Sequence, residues 1–217
     1  MIKTVLLTGF EPFNGATVNP AWEAVRALEG WSGEDFRVEV RQLPCVFGEA
    51  GRALAGMVDA LHPDVVIAVG QAGGRAEISV ERVAINVDDA SILDNAGRRP
   101  VDQPIHDDGP AAYFTTLPIK AMVAAMRERG LRAGVSQTAG TFVCNHVFYG
   151  LMHHAAASGR TMKAGFIHVP FLPEQAEGRL ETPPSMALEE IVAGIRIAVE
   201  LAVRVERDEA LAGGAAH

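Results

Sequence analysis

Short apolar runs alternate with segments of helical periodicity along most of this chain. Three runs rich in branched side chains end at a glycine or a proline, namely 4–8, 64–69 and 164–169. Continuous apolar runs of this length are typical of strands buried inside a parallel sheet. The residues from 188 to 203 instead repeat apolar positions every three or four residues, which predicts a long amphipathic helix. This alternation predicts a single-domain three-layer α/β/α sandwich with a mostly parallel, twisted sheet.

One predicted strand carries a change in its alternation of apolar residues. Ile78 and Val80 share one side of an extended chain, whereas the apolar residues from 83 to 87 have the opposite parity. We therefore predict a β-bulge at Glu81-Arg82, and bulges often turn a side chain toward an active site. The alternative is that Glu81 forms a surface ion pair with Arg82 or another neighbour.

Two segments lack both periodicities. Residues 88–104 are rich in Asp, Gly, Pro and Arg, and we call them the excursion, because they predict an irregular hairpin or lid. The last residues, 207–217, follow the long helix and are expected to form a disordered tail. The folded domain should therefore span 1–206.

The composition favours one globular domain that does not bind nucleic acid. The chain has 217 residues, of which 48% are hydrophobic, and this is enough for one sizeable core. Its formal net charge is −8 and it has no basic run, so nucleic acid is not expected as a partner. The apolar run at the start is too short for a signal peptide or a membrane span. We expect a cytoplasmic protein with no membrane association.

The two cysteines, Cys45 and Cys144, lie in differently built segments without the close spacing of a zinc knuckle or a disulfide framework. The acidic residues and His106 in and near the excursion also lack the spacing of a known metal motif. No metal is therefore expected, and the hydrolase hypothesis given below includes no organic cofactor.

Cys144 lies where a turn of small residues becomes a predicted helix. Apolar positions recur from Cys144 to Ala155, and Gly159 ends the pattern, so Cys144 should lie in the first helical turn. The unpaired N–H groups and the positive end of the helix dipole favour a thiolate there, and a protonated histidine would lower the thiol pKa further. The alternative is a cysteine that only packs, since cysteine is among the most buried residue types.

Several chemically distinctive residues follow or end separate predicted strands. Because ligands bind beyond the carboxyl ends of parallel strands, we expect these residues to meet at one edge of the sheet. They are Phe10 and Phe13, Gln71, Cys144 and His168.

A cysteine, a histidine and an acid in one cleft are the components of a covalent hydrolase. In this hypothesis His168 accepts the thiol proton of Cys144, and Glu81 orients the imidazole and stabilises its protonated form. The Cys144 N–H at the helix start would be one oxyanion donor. Asp94 in the excursion is the alternative acid.

These residues lie in four blocks of sequence that together span nearly the whole chain. The blocks are Leu7–Phe13 with Asn19-Pro20, Gly70–Arg75 with Ile78–Asn86, Ala139–Asn145, and Gly165–Gln175. In these blocks and in their order, the chain resembles pyroglutamyl peptidase type I, or pyrrolidone-carboxylate peptidase, a family of cysteine peptidases. One departure is Ser91, at a position where members often have an arginine.

The resemblance implies an enzyme that removes N-terminal pyroglutamate from peptides through a Cys144–His168–Glu81 triad and a thioacyl intermediate. It also implies a homotetramer with the same α/β/α fold. By the same analogy two phenylalanines flank the lactam ring, the backbone of a glutamine binds its N–H and C=O groups, and further residues complete the pocket. The implied substrate-binding residues are Phe10, Phe13, Asn19, Gln71, Phe142 and Val143.

Two other functions remain open from the sequence. The pocket could belong to a binding protein that senses a small molecule without hydrolysing it, which the Ser91 departure motivates. The chain could also be a cysteine amidase for a different lactam or small acyl amide.

Overall fold

The computed structural model describes residues 2–159, 161–177 and 181–214. The strands are β1 (Lys3–Phe10), β2 (Phe36–Leu43), β3 (Val65–Gln71), β4 (Ile78–Glu81), β5 (Val83–Ile85), β6 (Ala112–Phe114), β7 (Ala133–Ser136) and β8 (Lys163–Val169). The helices are α1 (Pro20–Arg26), α2 (Glu49–Leu61), α3 (Ile119–Glu128), α4 (Val143–Ser158), α5 (Pro173–Ala176) and α6 (Leu188–Arg204).

Six strands form the central sheet, in the order β2-β1-β3-β8-β4-β7. The first four in that order run parallel to one another. Strand β4 runs antiparallel to β8, and β7 at the sheet edge runs parallel to β4. The prediction of a mostly parallel sheet is confirmed, and the two strands on one side reverse direction.

Helices cover both faces of this sheet. Side chains alternate along β1, so that Leu7 belongs to the apolar cluster that includes α1, α3 and α6, while Leu6 belongs to the cluster that includes α2 and α4. Both kinds of position are therefore apolar, which explains the continuous hydrophobic runs in the sequence. The predicted three-layer sandwich is confirmed.

The predicted β-bulge at Glu81-Arg82 is wrong. Strand β4 ends at Glu81, and the chain then leaves the main sheet at Arg82, whose N–H still donates to Ser136 O at 2.9 Å. The next strand, β5, pairs with β6 in a separate two-stranded sheet. The change in parity therefore marks a change of sheet, because a strand in a new sheet buries whichever side faces its new neighbours.

The excursion lies against the start of α4. Asp88 and Gln103 form an isolated antiparallel bridge within it, and the backbone of Asp89 pairs with Thr141 through two hydrogen bonds. The buried Asn145 side chain binds the segment just before the excursion: it accepts a hydrogen bond from Ile85 N and donates to Ile85 O and Val87 O. The excursion is thus fixed beside the residues that surround Cys144.

The C-terminal segment 206–214 forms neither helix nor strand, but one side chain in it has clear partners. The Asp208 carboxylate accepts hydrogen bonds from the N–H groups of Lys120 and Ala121 at the start of α3. Residues 215–217 of the expected tail lie outside the described residues, and disorder of 207–217 stays a prediction. Within the described ranges, no helix combines the length and the apolar character that crossing a membrane requires.

Candidate active site

Cys144 lies in the first turn of α4. The helix begins at Val143, and the preceding turn contains Gly140 with φ of +75°, a conformation that suits glycine. A β-carbon built on Gly70 would lie 2.8 Å from the Cys144 sulfur. The sulfur therefore packs directly on the backbone of β3, which is possible only because residue 70 has no side chain.

His168 projects from the strand next to Gly70. Gly70 and His168 are direct partners in the parallel ladder between β3 and β8, so the thiol and the imidazole lie one strand apart. The His168 ring is 3% exposed and lies 4.8 Å, centroid to centroid, from the ring of Phe166, which also packs near Gly70. The Cys144 sulfur and the His168 ring therefore lie on the same face of the sheet, over adjacent strands.

Glu81 is fully buried and orients the imidazole. The Nδ1–H of His168 donates to Glu81 Oε1 at 2.7 Å. With its proton on Nδ1, the ring keeps its lone pair on Nε2, which is the arrangement that a general base requires. The alternative of a surface ion pair is correct in that Glu81 pairs with an arginine, Arg75, but wrong about the surface, because the carboxylate is fully buried.

The same carboxylate oxygen also binds Arg75, a residue to which the sequence assigned no role. Arg75 Nη1 lies 2.6 Å from Glu81 Oε1, and the arginine side chain is 29% exposed. The glycine-rich turn that contains Arg75 gave no reason to expect a contact between this arginine and Glu81, six residues later in the chain. The only signal was its place in a block that resembles the peptidase family.

Burial shifts the pKa values of Cys144 and His168 in opposite directions. Loss of hydration raises the pKa of the Cys144 thiol above its usual value, and the nearby Cys45 and Glu81 act in the same direction, while Arg75 opposes them. Burial also lowers the pKa of His168, against the opposing effect of its hydrogen bond to Glu81. These two shifts favour a neutral thiol and a neutral imidazole over a thiolate–imidazolium pair. This direction is opposite to the expected depression of the thiol pKa, because desolvation by burial is the largest contribution.

Only some of the residues expected at one edge of the sheet lie at the carboxyl ends of strands that reach that edge. Phe10, Gln71 and His168 lie at the carboxyl ends of strands that run the same way. Strand β7 runs the opposite way, so its carboxyl end does not lead directly to that edge. The segment 137–142 returns the chain to the site and places Cys144 over β3.

Several aromatic side chains pack together beside the start of α4. The rings of Phe13 and Phe142 are 6.0 Å apart, and Phe47 meets Phe142 edge to face at 5.3 Å. Phe10 is 2% exposed and packs 6.3 Å from Phe166, so it supports the site from the core side. Val143 is completely buried.

Gln71 and Asn19 both use their side chains to shape the surrounding loops. Gln175 Nε2 donates to Gln71 Oε1 at 3.1 Å, which fixes the end of β3. The Asn19 side chain accepts from Ala21 N at the start of α1 and donates to Glu11 O. Asn19 is 1% exposed, so its side chain contributes to the shape of the loop rather than presenting free polar atoms.

Asp94, the alternative acid, has a structural environment. Its carboxylate accepts hydrogen bonds from three backbone N–H groups in and near the excursion, and it is 5% exposed. Its partners are Phe47, Ala96 and Arg98, and His168 bonds Glu81 instead. The geometry therefore favours Glu81 as the acidic member.

A separate cavity of about 320 Å3 lies between α2 and α4 and is lined by His106, His146 and His153, but by none of the three proposed catalytic residues. Across the part of the chain that is described, no three His, Cys, Asp or Glu side chains are grouped as metal ligands.

Comparison with known proteins identifies the family. The family model for pyroglutamyl peptidase matches residues 3–205. Pyrrolidone-carboxylate peptidases from Cupriavidus taiwanensis and Chromobacterium violaceum are 61% and 60% identical to this chain, and each alignment covers 100% of both chains. Pyroglutamyl peptidase I from Bacillus amyloliquefaciens superposes with a TM-score of 0.95 at 46% identity, over 98% of this chain and 100% of its own. A mutant pyrrolidone carboxyl peptidase from Pyrococcus furiosus gives 0.89 at 43% identity, over 92% and 97% of the two chains. The chain belongs to the pyroglutamyl peptidase family.

Proposed function

We propose that this protein hydrolyses the amide bond that follows an N-terminal pyroglutamyl residue, with Cys144 as nucleophile, His168 as general base and acid, and Glu81 as the group that orients His168. The observation that carries the proposal is the Glu81–His168 hydrogen bond of 2.7 Å on the strand next to the Cys144 sulfur.

The neutral pair sets the order of events in acylation. As the Cys144 sulfur bonds to the substrate carbonyl carbon, the thiol proton moves to His168 Nε2 and negative charge develops on the carbonyl oxygen. The N–H of Cys144, in a helical turn without intrahelical acceptors, donates to that oxygen. The Glu81 carboxylate stabilises the imidazolium that forms at this moment.

The rest of the cycle restores the starting protonation states, with one proton leaving on the amine and one supplied by water. The C–N bond breaks as His168 passes its proton to the leaving amine, which leaves the pyroglutamyl group as a thioester on Cys144. Water then attacks the thioester carbonyl and gives a proton to His168. The C–S bond breaks, and the sulfur regains its proton from the imidazolium.

The surroundings of the nucleophile suit a small, flat and uncharged ring. Phe13 and Phe142 offer aromatic faces, and the backbone of Gln71 at the end of β3 offers a donor and an acceptor for the lactam group. Pyroglutamate has no α-ammonium group, so its binding requires no acidic anchor. We assign Phe10, Val143 and Asn19 to the support of this pocket, because all three are buried.

Hydrolysis of a pyroglutamyl arylamide, beside the corresponding prolyl arylamide, tests the function. The wild type should release the reporter only from the pyroglutamyl compound, since proline keeps the ring but lacks the lactam carbonyl. Cys144→Ala and Cys144→Ser should both reduce this turnover to the background. Retained turnover in either variant would remove Cys144 as the nucleophile, and saturable binding of pyroglutamate without any turnover by the wild type would indicate a sensor instead.

We also propose that the protein acts in the cytoplasm as a homotetramer. Support for assembly comes from exposed apolar side chains on the β5–β6 sheet and in the excursion, where Phe114 is 69%, Val101 62% and Leu93 58% exposed. A self-association that buries them would remove this apolar surface from water.

A further inference from the structure

Arg75 connects three parts of the site that are distant in sequence. Its Nη1 binds Glu81 Oε1 at 2.6 Å at the end of β4, and it also lies 3.3 Å from Ser136 Oγ at the end of β7. Its Nη2 donates to Thr138 O at 2.9 Å, in the segment that leads from β7 to Cys144. A planar guanidinium can make these bonds together because its N–H groups diverge in fixed directions.

Arg75 and His168 share one acceptor atom, which distinguishes this arrangement from an isolated surface ion pair. Glu81 Oε1 accepts from both Arg75 and His168, so the position of the guanidinium and the position of the imidazole depend on the same atom. Glu81 has no exposed surface, and Arg75 is its only cationic partner among the described ion pairs apart from His168 itself.

We propose that Arg75 is a positioning residue for the hydrolytic reaction, which holds the Glu81–His168 pair in register with the segment that carries Cys144. The inference rests on the proposed roles of Glu81, His168 and Cys144. Arg75 acts through these residues and need not touch the substrate.

The charges around the imidazole determine what the loss of Arg75 would do. Glu81 on β4 is the anion that faces His168, and Arg75 in the β3–β4 loop is the cation behind it. Burial raises the thiol pKa of Cys144 on α4 and of Cys45 before α2, which favours the neutral form of both. Without the Arg75 charge the Glu81 carboxylate would act on His168 alone, so the pKa of His168 would rise.

Two substitutions in the full-length protein separate the charge of Arg75 from its geometry. Arg75→Gln removes the charge, and Arg75→Lys keeps the charge but cannot reach Glu81 and Thr138 with a rigid fork. Both should lower kcat for the pyroglutamyl arylamide by about 10- to 100-fold with KM changed by less than about threefold, because misalignment affects the transition state most. The acid limb of the kcat/KM profile should move to higher pH in Arg75→Gln and stay in place in Arg75→Lys.

A control and a second readout complete the experiment. Arg41→Gln removes an arginine that pairs with Glu39 on strand β2 and should leave kcat and the pH profile unchanged. The rate at which iodoacetamide alkylates Cys144, measured at pH 7.5 by mass spectrometry, needs no turnover and should fall in Arg75→Gln, because the thiolate loses a favourable charge. Absence of wild-type hydrolysis would reject the proposed function while this alkylation comparison still tests Arg75.

A purely structural role for Arg75 would lower the melting temperature of both variants but leave the acid limb and the alkylation rate per folded molecule as in the wild type. That result would overturn the inference, as would a wild-type kcat in Arg75→Lys. If Arg75→Gln does not fold, the kcat of folded Arg75→Lys decides, because a wild-type value would overturn the inference.

Discussion

At the scale of single residues, the shared proton of the site is favoured on the Cys144 sulfur rather than on the His168 ring. Burial raises the pKa of Cys144 and lowers that of His168, and both shifts favour a thiol and a neutral imidazole over an ion pair. The sequence showed that Cys144 begins a helix, but the sign of the pKa shift depends on how deeply the sulfur is packed. Only the fold supplies that quantity.

The alkylation rate of Cys144 should therefore keep rising with pH across the range from 7 to 9. Because the thiolate is the reactive form, the rate of reaction with iodoacetamide should increase roughly tenfold per pH unit there. Mass spectrometry of the Cys144 peptide measures this rate apart from Cys45, which is 3% exposed and whose thiol pKa burial raises to about 12. A plateau that is complete by pH 6 would instead indicate a thiolate–imidazolium pair.

Glu81→Gln should reduce kcat/KM by about 10²- to 10⁴-fold, because a neutral amide cannot offset the imidazolium charge that forms during attack. Asp94→Asn should instead lower the melting temperature, since the Asp94 carboxylate accepts three backbone hydrogen bonds and the amide oxygen that replaces it is a weaker acceptor. Kinetics and thermal unfolding of both variants distinguish these effects. A Glu81→Gln variant with wild-type turnover would contradict the assignment of the acid.

At the scale of elements, the direction of a strand decides what its end can reach. The periodicity of the sequence predicted which segments are strands and helices, but the same apolar pattern serves a strand in either direction. The antiparallel course of β4 and β7, and the transfer of the chain to the β5–β6 sheet after Arg82, were therefore not predictable. The packing of α4 over β3 nevertheless brings Cys144 to the sheet edge where His168 and Gln71 lie.

Gly70→Ala tests that packing. The new methyl group would lie 2.8 Å from Cys144 Sγ and 2.7 Å from Phe166 Cζ, so it must displace the nucleophile or the ring beside His168. We expect kcat to fall by about 100-fold, together with a lower melting temperature, since overpacking of this kind costs about 1–3 kcal/mol.

The matched control is Gly56→Ala, on the exposed side of α2, where a β-carbon would meet nothing within 4 Å. It should raise the free energy of unfolding by about 0.5–1 kcal/mol and leave turnover unchanged. Equal turnover in both alanine variants would show that the contact between β3 and the sulfur is unimportant.

At the scale of the whole molecule, the layers and the family were readable from the sequence, whereas the connections between distant segments were not. Continuous apolar runs and amphipathic helices predicted the three-layer sandwich, and the sequence blocks brought together Cys144, His168 and Glu81. The links made by Arg75 and by Asn145 join residues about 60 positions apart, and no local pattern encodes such contacts. The same applies to Asp208, which anchors the C-terminal segment to α3.

Assembly is the property of the whole molecule that is most directly testable. Phe114→Ser should shift the sedimentation coefficient of the protein toward that of a smaller species, because it removes a large exposed apolar contact from the β5–β6 sheet. Sedimentation velocity at several concentrations measures this. Ile2→Ser removes an exposed apolar residue outside the β5–β6 sheet and the excursion, and it serves as the control. A wild type that sediments as a monomer would reject the proposed homotetramer.

The sulfur of Cys144 rests on main chain at Gly70, and this restricts how the pocket can be remodelled. A substrate ring larger than a five-membered lactam cannot be accommodated by trimming the surface beneath the nucleophile, because that surface contains no side chain to shorten. Room for a six-membered homologue must come from the sides, through smaller residues at Phe13 or Phe142. Directed evolution for such substrates should therefore accumulate changes at these two aromatic positions and retain glycine at position 70.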